Sequence, residues 1–135
     1  MNAFEFMKKL PGADLSDMPS EVSYLLTQFT PDAEIKRKNA AQIVYAFLKY
    51  ALKISDVTDE TLLSEVRKMK DVYDCPKCAH AIMQVTARRL MSPKYVIKGN
   101  DTNDITVIFG NEDLLSEEEA SDIAASINPQ VFQSP

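Results

Sequence analysis

The stretch KRKNAAQIVYAFLKYAL, residues 36–52, carries the strongest structural signal in this 135-residue chain. Its apolar residues recur at steps of three and four positions, which places them on one broad face of a helix. They are Ala40, Ile43, Val44, Phe47, Leu48 and Ala51. Lys49, near the end of the stretch, suits the negative pole of the helix dipole. The stretch therefore predicts an amphipathic helix with one buried face.

Similar apolar spacing predicts shorter helices on both sides of this stretch. Residues 2–10 favour a helix that stops at Pro11-Gly12, because proline cannot continue a helix and glycine turns the chain. The candidate N-terminal caps of the later helices are Ser20, Thr58 or Asp59, Asp74 and Ser116. The last of these forms a capping box with Glu119, in which each residue satisfies a backbone N–H of the other.

Residues 95–109 follow a different pattern. Residues 95–98 read Tyr-Val-Ile-Lys, residues 99–103 are rich in turn formers, and apolar residues alternate with others up to Phe109. This pattern predicts a β-hairpin. We therefore predict a mainly α fold, a compact bundle of about five to six helices with one β-hairpin near 95–109. The chain has the length of a single domain, 1–135, with a loose tail at 128–135.

Composition and charge narrow the class of partner and the compartment. The net charge of −5 disfavours nucleic acid, because phosphate binding rests on a positive surface. No apolar stretch approaches the roughly 20 residues that span a bilayer, and residues 1–11 do not form a secretory signal. The two cysteines are too few for a secreted disulfide framework. We expect a cytoplasmic protein if Met1 is the native start, and a cell-surface protein if a longer exported chain was trimmed.

An internal match links two parts of the chain. Residues 29–47, FTPDAEIKRKNAAQIVYAF, align without a gap on residues 109–127, FGNEDLLSEEEASDIAASI, after a shift of 80 positions. Phenylalanines open both segments, and apolar residues coincide along both helices. The match favours repeat-like halves at about 13–52 and 71–127. Two unrelated amphipathic helices with similar beginnings would also produce it, because a shared helical period creates matches.

These segments resemble the S-layer homology module of bacterial surface proteins. Its repeats place Asp-Val before one helix and Phe-x-Pro-x-x-x-Ile-Thr-Arg-Ala-Glu before a second, and FTPDAEIKRKNAAQIVYAFL and DVYDCPKCAHAIMQVTARRLMS look like parts of such repeats. The resemblance implies binding to anionic, often pyruvylated, cell-wall glycans. Arg37 is the matched residue that could grip such a ligand, flanked by Lys36 and Lys38. The sequence departs from the family pattern at two points: Lys77 stands at the family's Trp position, and the hairpin is foreign to the repeat.

Cys75-Pro-Lys-Cys78, followed by His80, is a second candidate site. Two cysteines at this spacing and a histidine could hold zinc, although a structural zinc site needs a fourth ligand. A CxxC pair at a helix N-terminus could instead cycle between thiol and disulfide. In the third interpretation both cysteines are simply buried on one helix face, since cysteine is among the most buried residue types.

These observations favour a non-catalytic binding or interaction module over an enzyme, with a protein or an anionic glycan as partner. No catalytic signature surrounds His80, the only histidine, and no cofactor other than zinc is implied. The alternatives are a small zinc-binding or thiol-redox protein, or an intracellular interaction domain that uses Tyr45/Tyr50 and Phe4/Phe6 as aromatic anchors. A homo-oligomer remains open.

Overall fold

A computed structural model describes residues 1–101 and 103–127. Within them the chain forms six α-helices and one two-stranded antiparallel sheet. These elements are α1 (Ala3–Lys9), α2 (Ser20–Leu26), α3 (Arg37–Ala46), α4 (Glu60–Val66), α5 (Pro76–Ala87), β1 (Tyr95–Lys98), β2 (Ile105–Ile108) and α6 (Glu117–Ser126). The predicted mainly α fold with one hairpin is confirmed. The tail predicted at 128–135 lies outside the described residues.

Helices α3 and α5 form the centre of the molecule and pack against each other. Around them lie α1 and α2 against α3, α4 against α5, and α6 against α1. The apolar faces predicted from helical spacing meet in a single core. The bulkiest fully buried apolar side chains are Phe6, Phe47, Phe109, Met7, Ile43, Met69, Ile82 and Ile123. Phe6 is therefore a core residue, and its predicted role as an exposed anchor for a partner is wrong.

The end of the long helix predicted at 36–52 differs from a regular α-helix. The α-helix ends at Ala46, and Phe47–Ala51 continue as a wider π-type turn, in which Leu52 N–H donates to Phe47 O at 3.0 Å. Lys53 then adopts a left-handed backbone with φ of 60° and ends the helical path. This turn holds the Lys49 side chain against the Tyr45 ring, at 5.5 Å.

The helix caps agree with the sequence at two positions and differ at others. Asp59 accepts from the N–H of Thr61 at 2.8 Å, and Ser116 accepts from the N–H of Glu119 at 3.0 Å. Ser20 and Asp74 are not the caps of their helices, because Pro19 and Cys75 occupy those positions. The Glu119 carboxylate does not complete the capping box but pairs with a buried arginine. A strong distant cation outcompetes a local backbone N–H.

The two segments that the sequence matched at a shift of 80 positions lie side by side. Helix α6 begins 80 positions after α3 begins and ends 80 positions after α3 ends. Lys36 and Leu114 form an antiparallel bridge, in which Leu115 N–H donates to Ile35 O at 3.0 Å. Ile35 therefore lies opposite Leu115, its equivalent under the shift, as a local twofold axis would require. Membership of the S-layer homology family stays a prediction.

Two polar side chains fasten loops to this scaffold. Gln84 of α5, 3% exposed, accepts from Val57 N–H at 2.7 Å and donates to Val57 O at 3.0 Å. Asp71 accepts the N–H groups of three consecutive residues, Phe109, Gly110 and Asn111, at 2.8–2.9 Å. Both replace the missing backbone partners of loop segments, which a buried loop needs.

Candidate functional site

A cleft of about 540 Å³ opens between α2, α3 and α5. Its volume falls in the range of small-ligand sites, roughly 300–1,000 Å³. Aromatic side chains and amides dominate the lining: Tyr24, Phe29, Tyr45 and Tyr50 supply the rings, and Gln28, Asn39 and Gln42 supply the amides. The helical spacing of Asn39, Gln42 and Tyr45 places them on one face of α3. Glu21 and Lys77 lie on the lining with opposite charges.

Two residues of the cleft lining have side-chain groups that are available for contact with a ligand. The Tyr24 side chain is 71% exposed, which is high for an aromatic ring on a structured helix. The half-buried Gln42 amide has no hydrogen-bond partner within residues 1–101 and 103–127. A carboxamide offers two donors and one acceptor oxygen, so Gln42 brings unused hydrogen-bonding capacity into the cleft.

A polar cluster of Tyr45, Lys49, Asp56 and His80 borders the cleft. Asp56 accepts from Tyr45 OH at 2.8 Å and from His80 Nε2 at 2.9 Å. Lys49 Nζ donates to Tyr45 OH at 3.1 Å and lies 3.9 Å from the Asp56 carboxylate. The His80 and Tyr45 rings meet edge to face at 5.2 Å. The cluster joins the loop around residue 56 to both central helices.

The contacts within the cluster shift the pKa values of Asp56 and Tyr45. Burial pushes the pKa of Asp56 up, but hydrogen bonds from His80 and Tyr45 and the charge of Lys49 outweigh it and leave that pKa below its usual range. Burial is also the largest influence on Tyr45 and raises the pKa of its phenol. Tyr45 is therefore a neutral hydroxyl beside an ionised Asp56 at neutral pH. These groups satisfy one another's hydrogen bonds.

The basic run predicted as an anion site is already engaged by acidic groups. Lys36 and Lys38 both pair with Glu112 at 2.5 Å, and their hydrogen bonds, that of Lys36 first, lower the pKa of Glu112 to about 2. Arg37 is 2% exposed; it donates to Ser92 O at 2.6 Å, to Phe109 O and to the Glu119 carboxylate at 2.9 Å. Its guanidinium also covers the Phe109 ring, with 4.4 Å to the centroid.

A hollow of about 400 Å³ lies beside Arg37, the residue that the family resemblance marks as a candidate for anion binding. Two cations, Arg37 and Lys94, line it together with three carboxylates, those of Glu118, Glu119 and Asp122. An anionic glycan entering this hollow would meet an excess of negative charge and would have to displace Glu119 from Arg37. Binding of an anion by Lys36, Arg37 and Lys38 stays a prediction, and the surrounding carboxylates do not favour it.

His80 and the two cysteines make different contacts in the structure. Cys75 and Cys78 form a disulfide, and both are buried at the start of α5. His80 instead faces Asp56 and Tyr45. Among residues 1–101 and 103–127, no group of three or more His, Cys, Asp or Glu is arranged to hold a metal ion. Disulfide sulfurs are poor zinc ligands, since thiolate is the binding form. Zinc binding stays a prediction for the reduced protein.

No family model, no curated protein and no solved structure matches this chain. Within the part of the chain that the structure describes, no helix is both long enough and apolar enough to cross a membrane. The cleft between α2, α3 and α5 is the candidate site, because it combines a suitable volume, one exposed tyrosine ring and an unsatisfied amide.

Proposed function

We propose that this chain is a non-catalytic binding module that holds an uncharged, hydroxyl-rich ligand, an oligosaccharide, in the cleft between α2, α3 and α5. The observation that carries the proposal is the pairing of tyrosine rings with amide side chains in one cleft. Tyrosine presents a flat apolar face with a polar tip, and amides can donate and accept hydrogen bonds at once. A sugar ring offers the matching surfaces, since it has an apolar face and a hydroxyl edge.

Charge supports a neutral ligand over an anionic one. On the lining, the negative charge of Glu21 is balanced by the positive charge of Lys77. The cations nearest the start of α3 are already paired with Glu112 and Glu119. The resemblance to S-layer homology repeats supports a glycan as the ligand class. Binding would then use the face of α3 that carries Gln42 and Tyr45 rather than Arg37 at its first turn.

The test is an array of neutral and acidic oligosaccharides probed with the whole chain, followed by titration calorimetry on each glycan that binds. We expect neutral glycans to bind, and Tyr24→Ala or Gln42→Ala to weaken that binding at least about tenfold, the equivalent of about 1.4 kcal/mol. Tyr73→Ala is the matched control, because Tyr73 is 57% exposed and lies outside the lining of the cleft. Binding only of acidic glycans, or equal loss in the control, would refute the proposal.

Thiol–disulfide exchange is a second candidate, favoured by the disulfide at the N-terminus of α5. A helix N-terminus stabilises a thiolate at the cysteine nearest to it. The test is equilibration with glutathione buffers followed by a disulfide-reduction assay. A pair that stays oxidised under reducing buffers and reduces no disulfide substrate would assign the cysteines to structure alone. Zinc analysis of the fully reduced chain tests the metal alternative on the same sample.

A further inference from the structure

The hairpin has one covered edge and one bare edge among the described residues. On the β2 side, Lys70 N–H donates to Val107 O at 2.7 Å, and Met69 forms a bridge with Val107. On the β1 side all four residues are exposed. Tyr95, Val96 and Ile97 leave 43%, 59% and 53% of their surface in solvent. An uncovered strand edge with exposed apolar side chains is a template for pairing with another strand.

The register of the hairpin identifies which backbone groups of β1 point outward. Val107 directs its carbonyl away from β1, toward Lys70, and its cross-strand neighbour is Val96. Residues in an antiparallel ladder alternate between bonded and non-bonded pairs, so Val96 is in a non-bonded pair. Gly99 N–H donates to Asp104 O at 2.6 Å, so Gly99 belongs to a bonded pair. The same alternation then places Lys98 and Val96 in non-bonded pairs. The N–H and C=O groups of Val96 and Lys98 therefore face outward, and no described residue bonds them.

We propose that β1 pairs antiparallel with β1 of a second copy of this chain, which would join the two hairpins into one four-stranded sheet. The twofold axis passes through Ile97, so Val96 of each copy lies opposite Lys98 of the other. Both outward-facing residues of each strand then exchange N–H and C=O hydrogen bonds, four in all. The two Ile97 side chains meet at the axis as an apolar cross-strand pair.

Charge selects this register over its neighbours. Moving the axis to Val96 would set Lys98 opposite Lys94, and moving it to Lys98 would set Lys98 opposite itself. Like charges directly opposite each other destabilise a strand pair. With the axis at Ile97, Lys94 instead faces the turn that contains Asn100 and Asp101 of the second copy. The basic start of the strand thus meets the acidic turn of its mate.

The length of the edge sets the strength of this association. A four-residue strand covers less than the roughly 800 Å² per partner of a standard stable interface. We therefore expect a weak, reversible dimer rather than a permanent one. Because the edge lies on the hairpin and the cleft lies between helices, this proposal stands apart from the proposed glycan binding.

Sedimentation velocity of the whole chain over a wide concentration range measures this dimer. We expect reversible dimerisation of the wild type, and at least about a tenfold higher dissociation constant for Ile97→Lys, because two lysines would meet at the axis. Leu62→Lys is the matched control: Leu62 is 37% exposed and belongs to α4, away from the hairpin, so the same substitution there leaves the dissociation constant unchanged. Circular dichroism confirms that both variants fold.

A crosslinking experiment tests the register itself. Residues of a non-bonded antiparallel pair have Cα atoms about 4.5 Å apart, within the span of a disulfide, about 4.4–6.8 Å. We expect Ile97→Cys to form a disulfide-linked dimer under mild oxidation and Ile105→Cys to remain largely monomeric. A monomer at every concentration, or equal crosslinking of the two cysteine variants, would overturn the proposal.

Discussion

Removal of the Asp71 carboxylate tests how the loop before α6 is held. This carboxylate accepts from the N–H groups of Phe109, Gly110 and Asn111. Gly110 has φ of +93°, in the left-handed region that favours glycine, and this bend helps three consecutive N–H groups converge on one anion. In Asp71→Ala the three donors lose their common acceptor, and the hydrogen bond from Asn111 Nδ2 to Asp71 O, at 2.7 Å, remains as a link to the segment before α5.

The expected cost follows from the number of bonds lost. A hydrogen bond to a charged group contributes roughly 1.5–3 kcal/mol, and removal of the acceptor also leaves its donors unsatisfied. Asp71 is half-buried, so water can replace part of the lost hydrogen bonding. We therefore assign each of the three bonds less than the lower limit of this range, about 1.5 kcal/mol. We therefore expect Asp71→Ala to lower the free energy of unfolding by about 3 kcal/mol, a large share of the roughly 5–15 kcal/mol of a typical domain.

The pH dependence has a definite sign. Burial raises the pKa of Asp71, but the three backbone hydrogen bonds outweigh burial and hold that pKa below the unfolded value of 3.8. A carboxyl with a lowered folded pKa contributes stability above the unfolded pKa, and that stability is lost as the pH falls through the folded pKa. The wild type should therefore lose more stability than Asp71→Ala between pH 5 and pH 2, a window of about three units around the pKa of an unfolded carboxyl group.

Urea unfolding followed by circular dichroism measures both effects. Asp74→Ala is the matched control, because it removes the same charge from an exposed position three residues along the chain. We expect the control to change the free energy of unfolding by less than about 0.5 kcal/mol. If Asp71→Ala matched Asp74→Ala in stability and in its pH profile, the carboxylate would not be what holds the loop.

Three further changes probe the scaffold by urea or thermal unfolding. Arg37→Met should cost about 3 kcal/mol, because it leaves two carbonyls and the half-buried Glu119 carboxylate without their partner. Arg67→Met at an exposed ion pair should cost less than about 1 kcal/mol. Gln84→Met should cost about 1–3 kcal/mol by leaving both backbone groups of one loop residue unpaired. Reduction of Cys75–Cys78 should cost about 2 kcal/mol, the low end for a disulfide, because the closed loop is short. A thermal midpoint unchanged by reductant would contradict the last expectation, and equal losses in the two arginine variants would contradict the first.

Local patterns in the sequence were sufficient to predict the helices, but not to predict the buried polar contacts between them. The apolar spacing of α3 and α5 is a local property, so the faces that meet in the core could be predicted. Arg37 is buried against Ser92 and Phe109, which lie 55 and 72 residues away in the sequence. Its neighbours in the sequence therefore did not reveal its burial. The π-type turn after Ala46 depends on backbone bonding, which apolar spacing does not encode.

Most of the candidate cleft was missed for the same reason, although two of its lining residues, Tyr45 and Tyr50, were predicted as contact residues. Tyr45 and Lys49 lie four residues apart on one helical path, and this spacing was a readable signal that they are neighbours. Asp56 lies in a loop with no periodic pattern, so nothing in the sequence placed it beside His80. Tyr24 carried no distinguishing pattern either. Its importance comes from its exposure beside α3, which depends on how α2 packs.

An exposed aromatic ring beside an unbonded amide is the strongest argument for the proposed ligand site. Charged side chains around α6 are used internally: Arg37 and Asp71 hold the segment before that helix, and Glu112 neutralises two lysines. Such links stabilise the scaffold and leave little capacity for a ligand. The cleft between α2, α3 and α5 shows the reverse, with a largely exposed Tyr24 ring and the unbonded amide of Gln42. Exposing an aromatic ring gives up the stabilisation that its burial would provide, about 1.5–3 kcal/mol. A ligand in the cleft would recover this stabilisation by covering the ring.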